Sequence, residues 1–184
     1  VAASLALAGS SVLGSKQSDP TTIYAPQPQV AIDPSWPTVA WQLSVSKPTA
    51  ARVVDSPRIA VRPVPGELQV YKGASWSQPA TDLVEATVLR ALEDSGRIPA
   101  VARVGSGIRA DYKLVMDLRR FESDYAGAAV PSATIELTAK LMHASDQRIV
   151  ASRTFLQAQP ANGTEIAQVA HAFDQALEKL GAEV

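Results

Sequence analysis

The chain has 184 residues, enough for one domain and an extension. Its 17 basic and 18 acidic residues leave a formal charge of −1, so charge gives no case for nucleic acid as a partner. Apolar residues make up 46% and can build a real core, while the absence of cysteine excludes disulfides, zinc thiolates and thiol catalysis.

Residues 1–13 read V-A-A-S-L-A-L-A-G-S-S-V-L, apolar and rich in small side chains, like the back half of a secretory leader. Leu7-Ala8-Gly9-Ser10 matches the bacterial lipobox L-A-G-C except at the last place. That place needs a thiol, because a serine hydroxyl is a far weaker nucleophile at neutral pH. Ser10 is read as a Cys→Ser replacement at the lipid-attachment position. The alternative is an ordinary Ala-rich segment with a coincidental L-A-G-S. Ser11 is not Asp, which under the sorting rule of Gram-negative lipoproteins directs the protein to the outer membrane. Residues 14–37 hold Pro20, Pro26, Pro28, Pro34 and Pro37 with no periodicity. They read as an extended tether, with Tyr24 as a residue that pins it to the domain.

The single domain is expected over 38–184. Val39, Trp41, Leu43 and Val45 alternate with small or polar residues, giving a first strand over 38–45. Ile59 and Val61 make a second, broken by Pro63, Pro65 and Gly66. Leu68 and Val70 restart the alternation until Gly73. A helix over Ala80–Ser95 follows, with Pro79 at its start, Leu83, Val84, Val88, Ala91 and Leu92 on one face, and Gly96 beyond its end.

The run S-P-R-I-A-V, then V-P-G-E-L, then Y-K-G-A-S-W-S-Q-P and the helix resembles the ABC-type transport auxiliary lipoproteins. These are the PqiC-like partners of MCE-domain lipid transport systems. The resemblance extends from about Tyr24 to the C-terminus. It implies a non-enzymatic subunit, without a cofactor, that docks a transport assembly at the outer membrane from the periplasm. Its expected partners are an MCE-domain protein, the outer membrane through N-terminal acylation, and, since many such machines are symmetric, other copies of itself.

Ile98–Val104 reads as a short strand and Gly105-Ser106-Gly107 as a turn; no third Gly or Walker Lys makes it a phosphate loop. Strands over 110–121, 134–142 and 148–157 form an antiparallel meander, with a bulge near Arg119-Arg120 where Phe121 falls out of phase. Asn162 with Glu165 suggests a capping box for a helix over Glu165–Ala182. The fold class is therefore α+β: a mostly antiparallel sheet with two amphipathic helices on one face.

Chemistry is sparse. His143 and His171 lack the spacing of a metal site, and no G-x-S-x-G elbow supplies a nucleophile. Neither a catalytic nor a metal-binding set is assigned. Trp41 reads as core, whereas Trp36 and Trp76 are candidate interaction residues beside Tyr24. The competing function is a module that holds a lipid or other apolar ligand between sheet and helices.

Overall fold

The computed structural model describes residues 20–184. The leader remnant, Ser10 and the first part of the tether lie outside the described residues. Nine strands form one mixed sheet: β1 (Thr22–Tyr24), β2 (Leu43–Val45), β3 (Thr49–Ala50), β4 (Arg58–Arg62), β5 (Gln69–Trp76), β6 (Val101–Arg103), β7 (Tyr112–Asp124), β8 (Ser132–His143) and β9 (Ile149–Pro160). The helices are α1 (Ala80–Ser95) and α2 (Ile166–Glu183).

The α+β class and the meander stand. β7, β8 and β9 pair antiparallel along nearly their whole length, and the ladder slips between Leu118 and Arg120, where the bulge is expected. The bulge restores Phe121 to the inner face, where it is buried. Parallel pairing is the part that alternation cannot reveal. β4 and β2 both lie parallel to β7, and β1 lies parallel to β5.

The inner face is tightly packed. Ile135, Leu137, Met116 and Leu118 meet Val169, Phe173, Leu177 and Leu180 of α2 and Val84 and Val88 of α1 in one core. Phe121 stacks on Phe173 at 4.6 Å, and Trp76 meets both rings edge-on. Each such large buried side chain is worth about 1.5–3 kcal/mol. That packing, more than intrinsic propensity, holds two helices that would be marginal alone.

Several boundaries differ from the sequence expectation. The first strand shrinks to Leu43–Val45, because Val39 N–H donates to Arg97 C=O and the Asp111 carboxylate accepts from Gln42 N–H. These bonds tie residues 38–42 to neighbouring loops. Gly73 does not stop β5. It sits at φ 69° within a register shift against β4, and the strand runs on to carry Trp76 into the core. The capping box of α2 joins Glu165 to Gln168, three residues later than Asn162 and Glu165. On α1, Thr81 and Glu85 are buried although the amphipathic pattern turns them outward. Thr81 donates to Asp55 at 2.6 Å, and Arg103 covers Glu85.

The largest difference concerns the tether, whose described part is docked. Tyr24 pairs with Trp76, and Tyr24 C=O accepts from Ser77 N–H. Beyond it, Pro26, Pro28 and Val30 are half-buried in alternation as the chain crosses α2 and α1. Asp174 accepts from Gln27 N–H at 2.9 Å, and Glu178 from Gln29 N–H at 3.0 Å. Residues 25–37 are thus a strap across both helices. Proline suits this path, because it has no N–H to leave unpaired and its φ is already extended.

Candidate functional site

Strand registers define two ends. β7 rises from Tyr112 to Asp124, about 40 Å at ~3.3 Å per residue. Asp124 lies level with Arg62, Ser132 and Pro160, and the N-terminal strand β1 arrives on this side of the sheet. Tyr112 lies level with Leu43, Val101 and His143 at the other end. We call these the proximal and distal ends. The strap starts proximally and runs along α2 past Gly181, whose lack of a side chain admits Val30. A Cβ there would sit 2.6 Å from Val30 Cγ2 and 3.2 Å from Thr87 Cγ2. The strap finishes distally, where Arg97 donates to Pro34 C=O and to Thr38.

At the distal end the core opens into an apolar trough. One part lies between Trp36, Val39, Ile98 and Val184 and encloses about 280 Å³. The adjoining part runs past Leu43, Leu114 and Leu141 to Phe155 and encloses about 440 Å³. Trp41, Leu92 and Ile98 line both. The aromatic lining is Trp36, Trp41 and Phe155; behind it Trp41 meets Tyr112 edge-on at 5.0 Å, and Tyr112 meets His143 at 5.3 Å. A half-buried aromatic cluster of this kind is common where a partner binds, since rings offer large contact area at small entropic cost.

The expected interaction residues separate here. Trp36 lines the trough. Tyr24 does not; it lies in β1 and packs on the core. Trp76 is 2% exposed inside the aromatic cluster and offers a partner nothing, so its place among the candidates is corrected. The sequence motif could not distinguish Trp76 from Trp36, because its burial depends on β5 continuing through Gly73. Ser10 lies outside the described residues. Trp41 packs against the core on one side and borders the trough on the other.

The outer sheet face carries a charged cluster near the proximal end that no sequence pattern announces. Arg62 donates to Glu122 at 2.7 and 3.0 Å, and Arg120 donates to Glu122 and Asp124. The Glu122 side chain is only 3% exposed. Burial pushes its carboxyl upward, but hydrogen bonds from Arg62 and Arg120 outweigh that and hold it below the ordinary value. All charges are matched, so the cluster clamps β4 to β7 and leaves no spare cation for a ligand. His143 binds Asp146 and Ser145 in its own turn, and His171 is exposed on α2. Among the described residues no group of acidic and His side chains is placed to hold a metal, and no helix is long and apolar enough to cross a membrane. Between the sheet and the middle of the helices the space is filled by rings and aliphatic chains, and the opening between sheet and helices is the distal trough.

This is a small α+β module with a strapped N-terminal segment at one end and an aromatic trough at the other. The chain belongs to the ABC-type transport auxiliary lipoprotein component family, whose model matches residues 22–184. It is 63% identical to protein XCC0632 from Xanthomonas campestris, solved as a DUF330 representative, over 89% of this chain and 91% of that one, with a TM-score of 0.86. A second solved structure of an uncharacterised protein shares 12% identity over 90% of this chain and 96% of its own, with a TM-score of 0.66, which shows the fold alone. An uncharacterised Bradyrhizobium diazoefficiens protein is 26% identical over 83% of this chain, which spans 41% of that relative's length.

Proposed function

We propose that this chain is the non-enzymatic docking subunit of an MCE-type, ABC-linked lipid transport system. Acylation at position 10, as a cysteine, anchors it in the inner leaflet of the outer membrane of a Gram-negative bacterium, with the domain in the periplasm. The family membership supports a role beside an ABC-type transporter. One geometric observation carries the docking reading: the chain arrives with β1 level with the proximal half of β7, while the aromatic trough opens beside the distal half, from the level of Leu118 to that of Tyr112. An anchor at one end and a binding surface at the other is what a bridging subunit needs. The strap serves this arrangement by fixing the N-terminal path along the helices.

The test is a pulldown from envelopes with the Ser10→Cys chain as bait, with mass spectrometry of bait and captured proteins. The expected result is an acylated residue 10 and a co-purifying MCE-domain protein. Acylation without that partner would leave an envelope lipoprotein and overturn the docking role; capture without acylation would overturn the anchor.

A further inference from the structure

The two ends of the sheet differ in charge. At the proximal end β4 and β7 stop side by side, and Tyr125 N–H donates to Arg62 C=O, so the loops that follow them are neighbours. Residues 64–68 of one and 126–130 of the other are exposed one after another. They read V-P-G-E-L and A-G-A-A-V, with Glu67 as the single charge. Val64 is 48% exposed, and Leu68 and Val130 are each 38% exposed. The distal loops over 103–111 and 144–148 instead expose Arg103, Arg109, Asp111, Asp146 and Arg148. Single apolar side chains are ordinary on a surface; two adjoining loops with apolar tips and one charge form a patch that marks a contact.

We propose that these loop tips rest in the headgroup layer of a lipid bilayer, on the side from which the anchored chain enters the domain. Three observations select lipid as the occupant. The first is position: β5 begins at the proximal end with Gln69, level with Val61, and β1 runs parallel to it, so the chain comes to Thr22 from that side. From position 10 to Thr22 is a step of twelve residues, a reach of at most about 40 Å, so an acyl anchor at position 10 keeps this end within reach of the bilayer. The second is the charge contrast, since ionised side chains are costly to bring against lipid and the proximal tips carry almost none. The third is backbone pairing. Glu67 N–H donates to Val64 C=O, and Ala128 N–H donates to Tyr125 C=O, so each turn brings part of its own hydrogen bonding with it. Tyr125, half-buried at the root of the second loop, has the apolar body and polar tip that suit a headgroup layer.

This contact rests on the N-terminal anchor of the docking reading and adds an orientation to it. A few apolar tips hold a free chain weakly, but an anchored chain meets the bilayer at high effective concentration, so the tips need supply little affinity of their own. With the proximal end seated on lipid, the distal trough faces away from the membrane.

Ser10→Cys gives the chain its only thiol, and coupling it to a maleimide lipid in phosphatidylcholine vesicles supplies the anchor chemically. The contact is thereby tested apart from cellular acylation, which the pulldown reads. A photo-reactive phenylalanine analogue is placed at Val64, at Val130 or at Val104, a distal side chain that is 49% exposed and so as accessible as Val64. Illumination and mass spectrometry should find lipid adducts at 64 and 130 at least fivefold above those at 104. Leu68→Glu should lower the adduct at 130 at least threefold while the thermal melt stays unchanged. Equal lipid adducts at all three positions would show a domain tumbling on its tether and would overturn the contact. So would the absence of lipid adducts at 64 and 130, or adducts there to a second copy of the chain in place of lipid.

Discussion

At one edge of the sheet, three residues of β1 lie parallel to β5, and the chain then crosses both helices as a strap. At the other edge, β9 extends for twelve residues with no neighbour beyond it among the described residues. Both edges expose the same backbone groups, and each unpaired donor or acceptor is a potential contact. The molecule uses its own N-terminal segment to cover the first and leaves the second open beside the trough. The strapped side is closed by intramolecular bonds and serves to hold the N-terminal path, whereas the open side and the distal trough offer unsatisfied groups and aromatic surface.

The largest effect should come from Trp76, where the strapped edge meets the core. Trp76→Ala is expected to cost about 3–5 kcal/mol, read as a fall in the urea midpoint. A loss below about 1 kcal/mol would mean that this edge is not anchored through the aromatic cluster. Next is the clamp on the outer face. Glu122→Gln leaves two partly exposed guanidiniums with a neutral partner. About 2–3 kcal/mol should be lost, less than the ~3–5 kcal/mol of a fully buried pair. The sign of the pH effect follows from the lowered carboxyl: its contribution is complete above the ordinary value of 4.5 and is lost as pH falls below it. Acid unfolding of the wild type should therefore lose this contribution over that window, while Glu122→Gln should show a flatter profile.

Gly181→Leu tests the strap directly. Its side chain would meet Val30 and Thr87, for a cost of about 1–3 kcal/mol. Amide exchange at residues 25–32 should accelerate more than exchange in β8; equal acceleration in both would show that the strap has no separate stability. The smallest effect belongs to the open edge. Leu156→Lys should change stability by no more than about 0.5 kcal/mol by thermal melting, since the side chain has little to lose in the isolated chain.

The elements that were legible in the sequence are those whose signal is local. Alternation along 110–121 and 134–142 marks two long strands because one face is buried and the other is not. The heptad-like spacing from Ile166 to Leu180 marks α2 in the same way, and Phe121 betrays the bulge by breaking phase. The strap is different. Pro26, Pro28 and Val30 do alternate in burial, yet prolines in a polar setting carry no hydrophobic period, so the docked segment reads as an extended tether pinned only at Tyr24. Trp76 reads as an interaction residue for a related reason: Gly73 punctuates the sequence but only bulges the strand. The Arg62–Glu122–Arg120 clamp depends on β4 lying parallel to β7, a pairing sixty residues apart that no local pattern encodes. The distal trough likewise gathers Trp36 and Trp41, Leu92 and Phe155 from three separate segments.

In the docking reading, the distal end, away from the side where the chain arrives, receives the transport partner. The most direct measurement places a photo-reactive phenylalanine analogue at Trp36, beside the trough, or at Val64 in the proximal loop after β4, in the acylated chain within native envelopes. Illumination followed by mass spectrometry should link an MCE-domain protein to position 36 and not to position 64. Capture from position 64 alone, or from neither position while the chain remains anchored, would contradict it.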